Sequence, residues 1–173
     1  NENHRFLVLE QLEELKLNVP TRILLEPESK NTAPALTLAA LAAQDANPDS
    51  VLVVTPADHY VKNLHQFTRS MHHAINATQD KTIMTLGINP TKPDTGFGYI
   101  HYEGDGLVKK VLNFKEKPEL QAAKQMIEQG KHAWNGGMFI LQSKVWLNAI
   151  EHSNAKIFKT VQNAWQNKHK DQW

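Results

Sequence analysis

The chain has 173 residues, of which 40% are hydrophobic, and its 19 lysines and arginines nearly balance 18 aspartates and glutamates. That length and apolar content suit about one domain with a packed core. The even charge excludes the basic footprint of a nucleic-acid-binding protein. Cysteine is absent and no apolar run approaches the roughly 18 residues of a membrane span, which excludes disulfide frameworks, thiolate metal sites and membrane insertion. We therefore expect a cytoplasmic protein without nucleic-acid or membrane partners.

The first third of the chain predicts a helix, a strand and a second helix. Residues 1–17 carry apolar side chains at near-helical spacing. The segment RILLEP, residues 22–27, predicts a short strand that ends at Pro27. Residues 28–44 are rich in alanine and predict a helix that is capped by Asn31 or Thr32, with Pro34 in its first turn.

The central stretch is VLVVTPADHY, residues 51–60. Its unbroken apolar run from residue 51 to 54 predicts a strand that is covered on both faces, as in a parallel sheet, and Pro56 marks the end of that strand. Asp58 then follows the carboxyl end of the strand, where open α/β sheets bind their ligands, and its carboxylate could hold a metal ion. The alternative is that Asp58 only caps the next helix.

The remaining elements follow from periodicity and from turn residues. Asn63 is the predicted N-cap of a helix with one apolar face. The elements predicted after it are a helix over 64–78, a strand over 82–88, an irregular loop over 89–98, an antiparallel hairpin around 104–106, a helix over 119–129 between Pro118 and Gly130, a strand over 138–141, and a polar helical remainder to residue 173.

Alternating strands and helices predict an α/β fold with a mostly parallel, doubly wound sheet flanked by helices, from which the hairpin departs. Neither GxGxxG nor GxxxxGK[ST] occurs in the sequence, which excludes the dinucleotide fingerprint and the P-loop. Nine histidines are spread along the chain, and no pair of them, including His72 and His73, has the partner set that is typical of a zinc site.

Five segments in this order resemble the mannose-1-phosphate guanylyltransferase family: NENHRFLVLEQL, EPESKNTAPA, TPADHYV, TGFGYI followed by FKEKP, and WNGGMF. The resemblance implies a Rossmann-like, glycosyltransferase-A-like nucleotidyltransferase fold that is incomplete at both ends. Residues 1–173 would form the central part of one such domain. The implied reaction transfers a guanylyl group from GTP to mannose 1-phosphate, and gives pyrophosphate and GDP-mannose for polysaccharide biosynthesis.

The resemblance also implies a nucleotide-binding segment. Its residues are Glu26, Pro27, Lys30, Asn31, Thr32, Ala33, Pro56 and Ala57. Lys30 stands where the family usually has arginine, so a point charge replaces a bidentate contact. Independently of the family, Asn31 and Thr32 are predicted at a helix N-terminus, whose free N–H groups favour anionic ligands. A plain helix cap is the alternative for both residues.

By the same resemblance, Asp58 binds Mg²⁺, an ion that usually takes one or two carboxylates together with substrate phosphates. The sugar-phosphate residues would be Thr95, Gly96, Gly98, Tyr99, Glu116, Lys117 and Asn135. Glu116 would accept hydrogen bonds from sugar hydroxyls, while Lys117 would pair with the phosphate. Gly136 replaces the serine that is usual in the family. The alternative for the segment KKVLNFKEK is a solvated run of charges.

Asp58 and Lys117 are the catalytic candidates. The family's glycine-rich phosphate loop lies upstream of residue 1, and a second metal-binding aspartate lies downstream of residue 173. The chain by itself is therefore expected to be inactive and to self-associate through unpaired strand edges; whether the enzyme is a homo-oligomer is left open. A non-catalytic module that binds a sugar phosphate or a nucleotide is the competing interpretation.

Overall fold

The computed structural model describes residues 2–78 and 82–170. The chain divides into two compact units, one formed by Asn1–Ser50 with Trp146–Trp173 and the other by Val51–Val145. The first unit is helical, and the second contains the sheet. Across the described ranges, none of the helices is long and apolar enough to cross a membrane.

The first unit is built around helix α2. Its helices are α1 (Arg5–Glu14), α2 (Thr32–Ala46), most of α5 (Ser143–Ser153) and α6 (Ala155–Gln166). The hydroxyl of Thr37, which is fully buried, donates to the carbonyl of Ala33 at 2.7 Å and accepts from Trp146 Nε1 at 3.0 Å. Trp165 of α6 donates its Nε1 proton to Asp45 Oδ2 at 2.9 Å. The indole N–H groups of Trp146 and Trp165 therefore each have a partner in this unit.

The predicted helix at the start of the chain and the predicted helix with Pro34 in its first turn are confirmed. The predicted strand over residues 22–27 is wrong. That segment is half-buried from residue 23 to 26, but no described strand pairs with it, and Glu26 instead accepts a backbone bond from Glu2 at 3.0 Å. An apolar run indicates burial, whereas a strand also needs a neighbour to pair with its backbone groups.

The second unit contains a five-stranded sheet, whose strands are β1 (Val51–Val54), β2 (Ile83–Ile88), β3 (Tyr99–Glu103), β4 (Lys110–Lys115) and β5 (His132–Gln142). Strand β5 is central. Its residues 139–141 include partners of both β1 and β2, and Trp134 pairs with Ile88 of β2 and with Tyr99 of β3. Strand β2 therefore lies on one side of β5, while β1 and β3 share the other side. Strand β4 pairs with β3 at the edge.

The α/β class is confirmed, but the expected parallel pairing is wrong, because every described ladder is antiparallel. Strands β1 and β2 do run in the same direction, as their connection through helix α3 (Leu64–Ala77) predicts. However, β5 lies between them and runs the opposite way. The prediction that residues 51–54 are covered on both faces is also wrong, since Val51 and Val53 are 40% and 45% exposed.

Strand β5 is longer than the predicted strand over 138–141. Its first half contains Asn135, Gly136 and Gly137, residue types that are depleted in strands and so conceal it in the sequence. Between the pairs Thr85–Phe139 and Gly87–Asn135, β5 has two more residues than β2. This irregularity is a β-bulge, in which Gly137 takes a φ of 64° that glycine tolerates best.

Two helices cover parts of the sheet. Helix α3 packs Met71 and Ala74 against Met138 and Ile140. Helix α4 (Leu120–Gln129) packs its fully buried Ala123 with Tyr99 and Trp134. The hairpin between β3 and β4 and the end of α4 at Gly130 are confirmed.

The predicted N-cap of α3 is confirmed, since Asn63 Oδ1 accepts the N–H of Gln66 at 2.9 Å. We predict that Asn63→Ala lowers the free energy of unfolding by about 1 kcal/mol, because a helix N–H loses its partner. Urea denaturation of the variant measures the loss. Asp58→Asn, in the same connection, is the control and should leave the urea midpoint unchanged. Equal losses in the two variants would contradict the assignment of the cap.

Candidate functional site

Four residues lie in one row across the sheet, two of them within β5 and β2 and the other two next to the ends of β3 and β4. Tyr99 pairs with Lys115, so the next residues along each strand, Gly98 and Glu116, face each other. Asn135 donates its backbone N–H to the carbonyl of Gly98 at 2.8 Å and pairs on its other side with Gly87. We call Glu116, Gly98, Asn135 and Gly87 the cross-strand row. Because cross-strand partners share a face, the row lies on the face opposite Tyr99 and its partners.

Gly98 is required by close approach within the row. A Cβ at this position would lie 2.6 Å from Phe114 Cζ and 2.9 Å from Glu116 Oε2, closer than atoms tolerate. The Glu116 carboxylate therefore lies directly beside the Gly98 backbone. Gly136 is crowded too, because a Cβ at this position would lie 3.2 Å from the Leu86 carbonyl oxygen. A side chain there would require the Met138 side chain to shift and the other neighbours to give by a few tenths of an ångström.

Asn135 has a fixed amide orientation. Its Oδ1 accepts the backbone N–H of Gly137 at 3.2 Å, and an N–H group can only donate, so the oxygen must lie on that side. The hydroxyl of Thr85 lies 3.3 Å from the same oxygen and 3.0 Å from the Met138 carbonyl. The amino end of Asn135 is therefore the end available to a ligand. Thr85 has no sequence signal, because only the bulge in β5 brings it to Asn135.

The loop before β3 is held by Tyr99. This side chain is buried, and its hydroxyl donates to the carbonyl of Asp94 and accepts the N–H of Asp94, both at 3.0 Å. Asp94 Oδ1 in turn accepts the N–H of Gly96 at 2.9 Å. That bond, followed by the Lys92 ammonium at 3.2 Å, lowers the pKa of Asp94. The Tyr99 side chain, which lies on the face opposite the row, thus anchors the loop that carries the exposed Thr95.

Asp94 was not singled out from the sequence. Its signal is present in the pattern Asp94-Thr95-Gly96, since an aspartate that accepts the N–H two residues on is a common turn former.

Lys117 stands next to the row in a strained conformation. Its φ is 38°, which is uncommon for a residue other than glycine and costs on the order of 1–3 kcal/mol. The fully buried Pro118 follows it. Lys117 Nζ lies 3.8 Å from Glu116 Oε1, and both side chains are exposed. The strained backbone therefore presents an ammonium group beside the carboxylate of the row.

Asp58 lies on the turn that follows β1. The Cγ atom of Pro56 in this turn lies 3.5 Å from where a Cβ of Gly137 would be, so the turn passes β5 close to Asn135. Asp58 is exposed, and no described residue forms a hydrogen bond or an ion pair with its carboxylate. The helix-cap interpretation of Asp58 is wrong, because Asn63 occupies the cap of α3. Both Asp58 oxygens are therefore free to bind a cation.

The nucleotide-binding segment predicted from the sequence belongs to the first unit, except for Pro56 and Ala57, which precede Asp58 in the second. Asn31 occupies the N-cap position of α2 with a φ of 68°, but its side chain makes no cap bond, so the plain-cap interpretation does not hold for it. Lys30 forms an ion pair with Glu28, which raises the pKa of Lys30 and lowers that of Glu28. Glu26, Ala33 and Pro56 are half-buried; the exposed members are Pro27, Lys30, Asn31, Thr32 and Ala57.

No three His, Asp or Glu side chains gather into a metal-binding cluster within residues 2–78 and 82–170. A divalent ion at Asp58 would therefore complete its coordination with substrate oxygens or water. The residues fit Mg²⁺, which commonly takes one carboxylate together with phosphates and water.

A family model described as Nucleotidyl transferase matches residues 1–172. Mannose-1-phosphate guanylyltransferase RfbM of Salmonella typhimurium is 38% identical over 95% of this chain and 35% of its own length. Xanthan biosynthesis protein XanB of Xanthomonas campestris pv. campestris is 37% identical over 99% of this chain and 36% of its own. The chain thus spans about a third of the length of these relatives.

Two solved structures are similar to the whole chain or most of it. One is described as mannose-6-phosphate isomerase from Helicobacter pylori, with 33% identity and a TM-score of 0.88 over 100% of this chain and 65% of that one. The other is described as mannose-1-phosphate geranyltransferase from Thermus thermophilus, with 28% identity and a TM-score of 0.78 over 86% and 44%.

We predict that Gly98→Ala destabilises the second unit by about 1–3 kcal/mol, because the added methyl group must displace Phe114 or Glu116. Urea denaturation measures the change. Gly106→Ala is the matched control, since a Cβ there would approach Val108 O only to 3.5 Å. If the two variants unfold at the same urea concentration, the close approach at Gly98 does not exist.

Proposed function

Because the chain belongs to the nucleotidyl transferase family, we propose that the complete protein transfers a guanylyl group from GTP to mannose 1-phosphate. The products are GDP-mannose and pyrophosphate, and Mg²⁺ is the cofactor. The cross-strand row carries the proposal, because it places a carboxylate and an amide on either side of a glycine. The two relatives, whose names mention mannose-1-phosphate guanylyltransferase and xanthan biosynthesis, agree with it.

The row has the donors and acceptors that a hexose needs. Glu116 supplies carboxylate oxygens, which accept hydrogen bonds from two neighbouring hydroxyls. Asn135 presents its amino group, which donates to a sugar oxygen, because its own oxygen is held by Gly137. Gly98 between them has no side chain, so the Glu116 carboxylate can lie against its backbone, beside Asn135.

Lys117 binds the phosphate of the sugar in this proposal. Its ammonium group lies beside Glu116, so a sugar held by the carboxylate brings its 1-phosphate within reach of the lysine. The positive φ of Lys117 fixes where its side chain leaves the backbone, which limits the freedom lost on binding. The surrounding structure, including buried Pro118, supports that strain.

The nucleotide segment supplies a different kind of contact. The N-terminus of α2 has free N–H groups that favour an anion or a polar base edge, and neither the Asn31 side chain nor an acidic residue in the first turn occupies them. Lys30 adds a positive charge, which is paired with Glu28. A nucleotide that binds Lys30 would therefore compete with Glu28 for the ammonium group.

In the proposed reaction, a phosphate oxygen of mannose 1-phosphate attacks the α-phosphorus of GTP. The bond from that phosphorus to the bridging oxygen breaks, and pyrophosphate leaves with the bonding electron pair. Lys117, Glu116 and Asn135 act by holding the attacking group in line, which can be worth roughly 7–11 kcal/mol of the barrier. Mg²⁺ bound by Asp58 would neutralise charge on the phosphates.

A second interpretation is a non-catalytic module that binds a sugar phosphate or a nucleotide. It predicts that the complete protein binds mannose 1-phosphate without releasing pyrophosphate.

The Helicobacter pylori protein is described by a different activity, isomerisation of mannose 6-phosphate. Incubating the complete protein separately with mannose 6-phosphate, and with GTP and mannose 1-phosphate, distinguishes these activities.

The first functional prediction is that Asp58→Asn in the complete protein removes Mg²⁺-dependent pyrophosphate release while the fold is kept, because an amide cannot supply the charge that the ion requires. Turnover is measured with GTP and mannose 1-phosphate at several Mg²⁺ concentrations. Asp105→Asn, an exposed aspartate in the hairpin, is the control. Near-normal turnover in Asp58→Asn would show that Asp58 does not bind the Mg²⁺ ion that the reaction needs.

The second functional prediction is that Lys117→Ala weakens the interaction with mannose 1-phosphate more than the interaction with GTP. A lost charge-assisted hydrogen bond costs about 1.5 to 3 kcal/mol, or on the order of tenfold to a hundredfold in kcat/KM. Kinetics with each substrate varied in turn measures the difference. Lys110→Ala is the matched control, because that exposed lysine of β4 is paired with Glu103 at 3.1 Å, away from the row. Equal losses for the two substrates would place Lys117 elsewhere in the mechanism.

A further inference from the structure

A pair of histidines lies on the face of the sheet opposite the cross-strand row. His101 of β3 and His132 of β5 are cross-strand partners, and their rings are stacked with centroids 4.5 Å apart and planes 10° apart. His101 and Tyr99 are two residues apart on β3, so they share a face. The pair is therefore separate from the row and has no part in the proposed transfer.

The hydrogen bonding of the sheet explains why these rings meet. Asn135 donates to Gly98 and Tyr102 donates to Lys131, so pairs of this ladder exchange backbone bonds at alternate positions. His101 and His132 fall between them, at a non-hydrogen-bonded pair, where the Cα atoms and side chains are closest. Two imidazoles at such a position are held side by side by the backbone.

The histidines open into a groove of about 260 Å³ between the sheet and helix α4. Asn113 and Lys115 of β4 and Gln125 and Gln129 of α4 line the same groove, and none of its lining residues is acidic. Amide oxygens are thus available beside the two imidazoles. Both histidines are partly exposed, so an ion can reach them from solvent.

The tautomer of His132 is fixed by its surroundings. Its Nδ1 lies 2.8 Å from the carbonyl of Gly130, which can only accept, so Nδ1 carries the proton and Nε2 has the free lone pair. Histidines that bind metals usually donate their other ring N–H to a carbonyl or carboxylate in this way. The bond orients the ring of His132 before any ion arrives.

We propose that His101 and His132 bind a divalent transition-metal ion that prefers imidazole, such as Zn²⁺. Zinc–nitrogen distances of about 2.0–2.1 Å and tetrahedral geometry require the two nitrogens to be about 3.3 Å apart. Because the stacked rings are only 10° from parallel, the His101 ring rotates on binding so that its lone pair converges with His132 Nε2 on the ion, while the bond to Gly130 holds the His132 ring. Because the described residues provide no third histidine or carboxylate ligand here, an amide oxygen from the groove or water completes the coordination. The ion would connect β3 to β5 on the other face of the sheet, three residues along each strand from Gly98 and Asn135.

The sequence does not reveal the pair, because zinc sites are usually recognised from short spacings and these histidines are 31 positions apart. Only the register of two strands brings them together. The other candidate occupant of the groove is an anion such as phosphate, attracted by Lys115, and the experiment separates the two.

The complete protein, freed of any tag, is titrated with ZnCl₂ by calorimetry in a buffer without phosphate. We expect the dissociation constant of one zinc site to rise by about tenfold or more in His101→Gln and in His132→Gln. Removing a residue that only hydrogen-bonds to a metal ligand already has an effect of that size, so removing a ligand should have at least the same effect. His152→Gln is the matched control. Its Nδ1 also binds a carbonyl, that of Asn148 at 2.7 Å, but it lies on helix α5 rather than opposite a histidine on a paired strand.

Zinc should also raise the melting temperature of the wild-type protein in a concentration-dependent way, and raise that of the two variants less. Circular dichroism checks that each variant is folded, and the two single variants serve as independent tests of the site. Titrations of both variants that match the wild type would overturn the proposal. So would a His101-dependent heat signal with sodium phosphate in place of zinc.

Discussion

The candidate site depends on the register of strand β5 with its neighbours. A shift of one residue in a ladder moves every side chain of the strand to the other face. In the observed register, the backbone bond from Asn135 to Gly98 brings the two residues side by side, and the pairing of β3 with β4 adds Glu116 to the same row. Slipping β5 by one position would turn Asn135 toward the Tyr99 face and present Trp134 or Gly136 in its place.

That register is maintained by packing on the opposite face and by the bulge. Tyr99, Ala123 and Trp134 form one buried cluster between the sheet and α4. A slip would bring these large side chains out of contact, and burying each aromatic contributes roughly 1.5–3 kcal/mol. The bulge then turns the Gly137 N–H toward the Asn135 side chain and so leaves the amino end of that amide available. Packing on the Tyr99 face thereby determines which side chains form the cross-strand row on the other face.

The sequence predicts the helices and most of the strands, because those depend on local periodicity and on caps such as Asn63. It does not predict the sheet correctly. The order of strands depends on β5, whose first half looks like a glycine-rich loop and which pairs with segments far away in the sequence. The segment at residues 22–27 fails for the related reason that apolar character does not supply a pairing partner.

The individual site residues were identified mainly through the family resemblance. The structure adds how Gly98, Glu116 and Asn135 are arranged, and it gives Tyr99 the separate task of holding the loop through Asp94. Thr85 and the His101–His132 pair could not be found from the sequence, because each depends on contacts between strands. No local pattern of residues records such contacts.

The most direct test of the account is to observe the side-chain amide of Asn135 when the product binds. In the complete protein labelled with ¹⁵N-asparagine, the Asn135 resonance is assigned through Asn135→Asp, and GDP-mannose is added to saturation. The account predicts a saturable shift of the Asn135 side-chain amide, while that of Asn113, on the opposite face of the sheet, stays in place. Saturable binding of GDP-mannose with an unmoved Asn135 amide would contradict the claim that the cross-strand row holds the sugar.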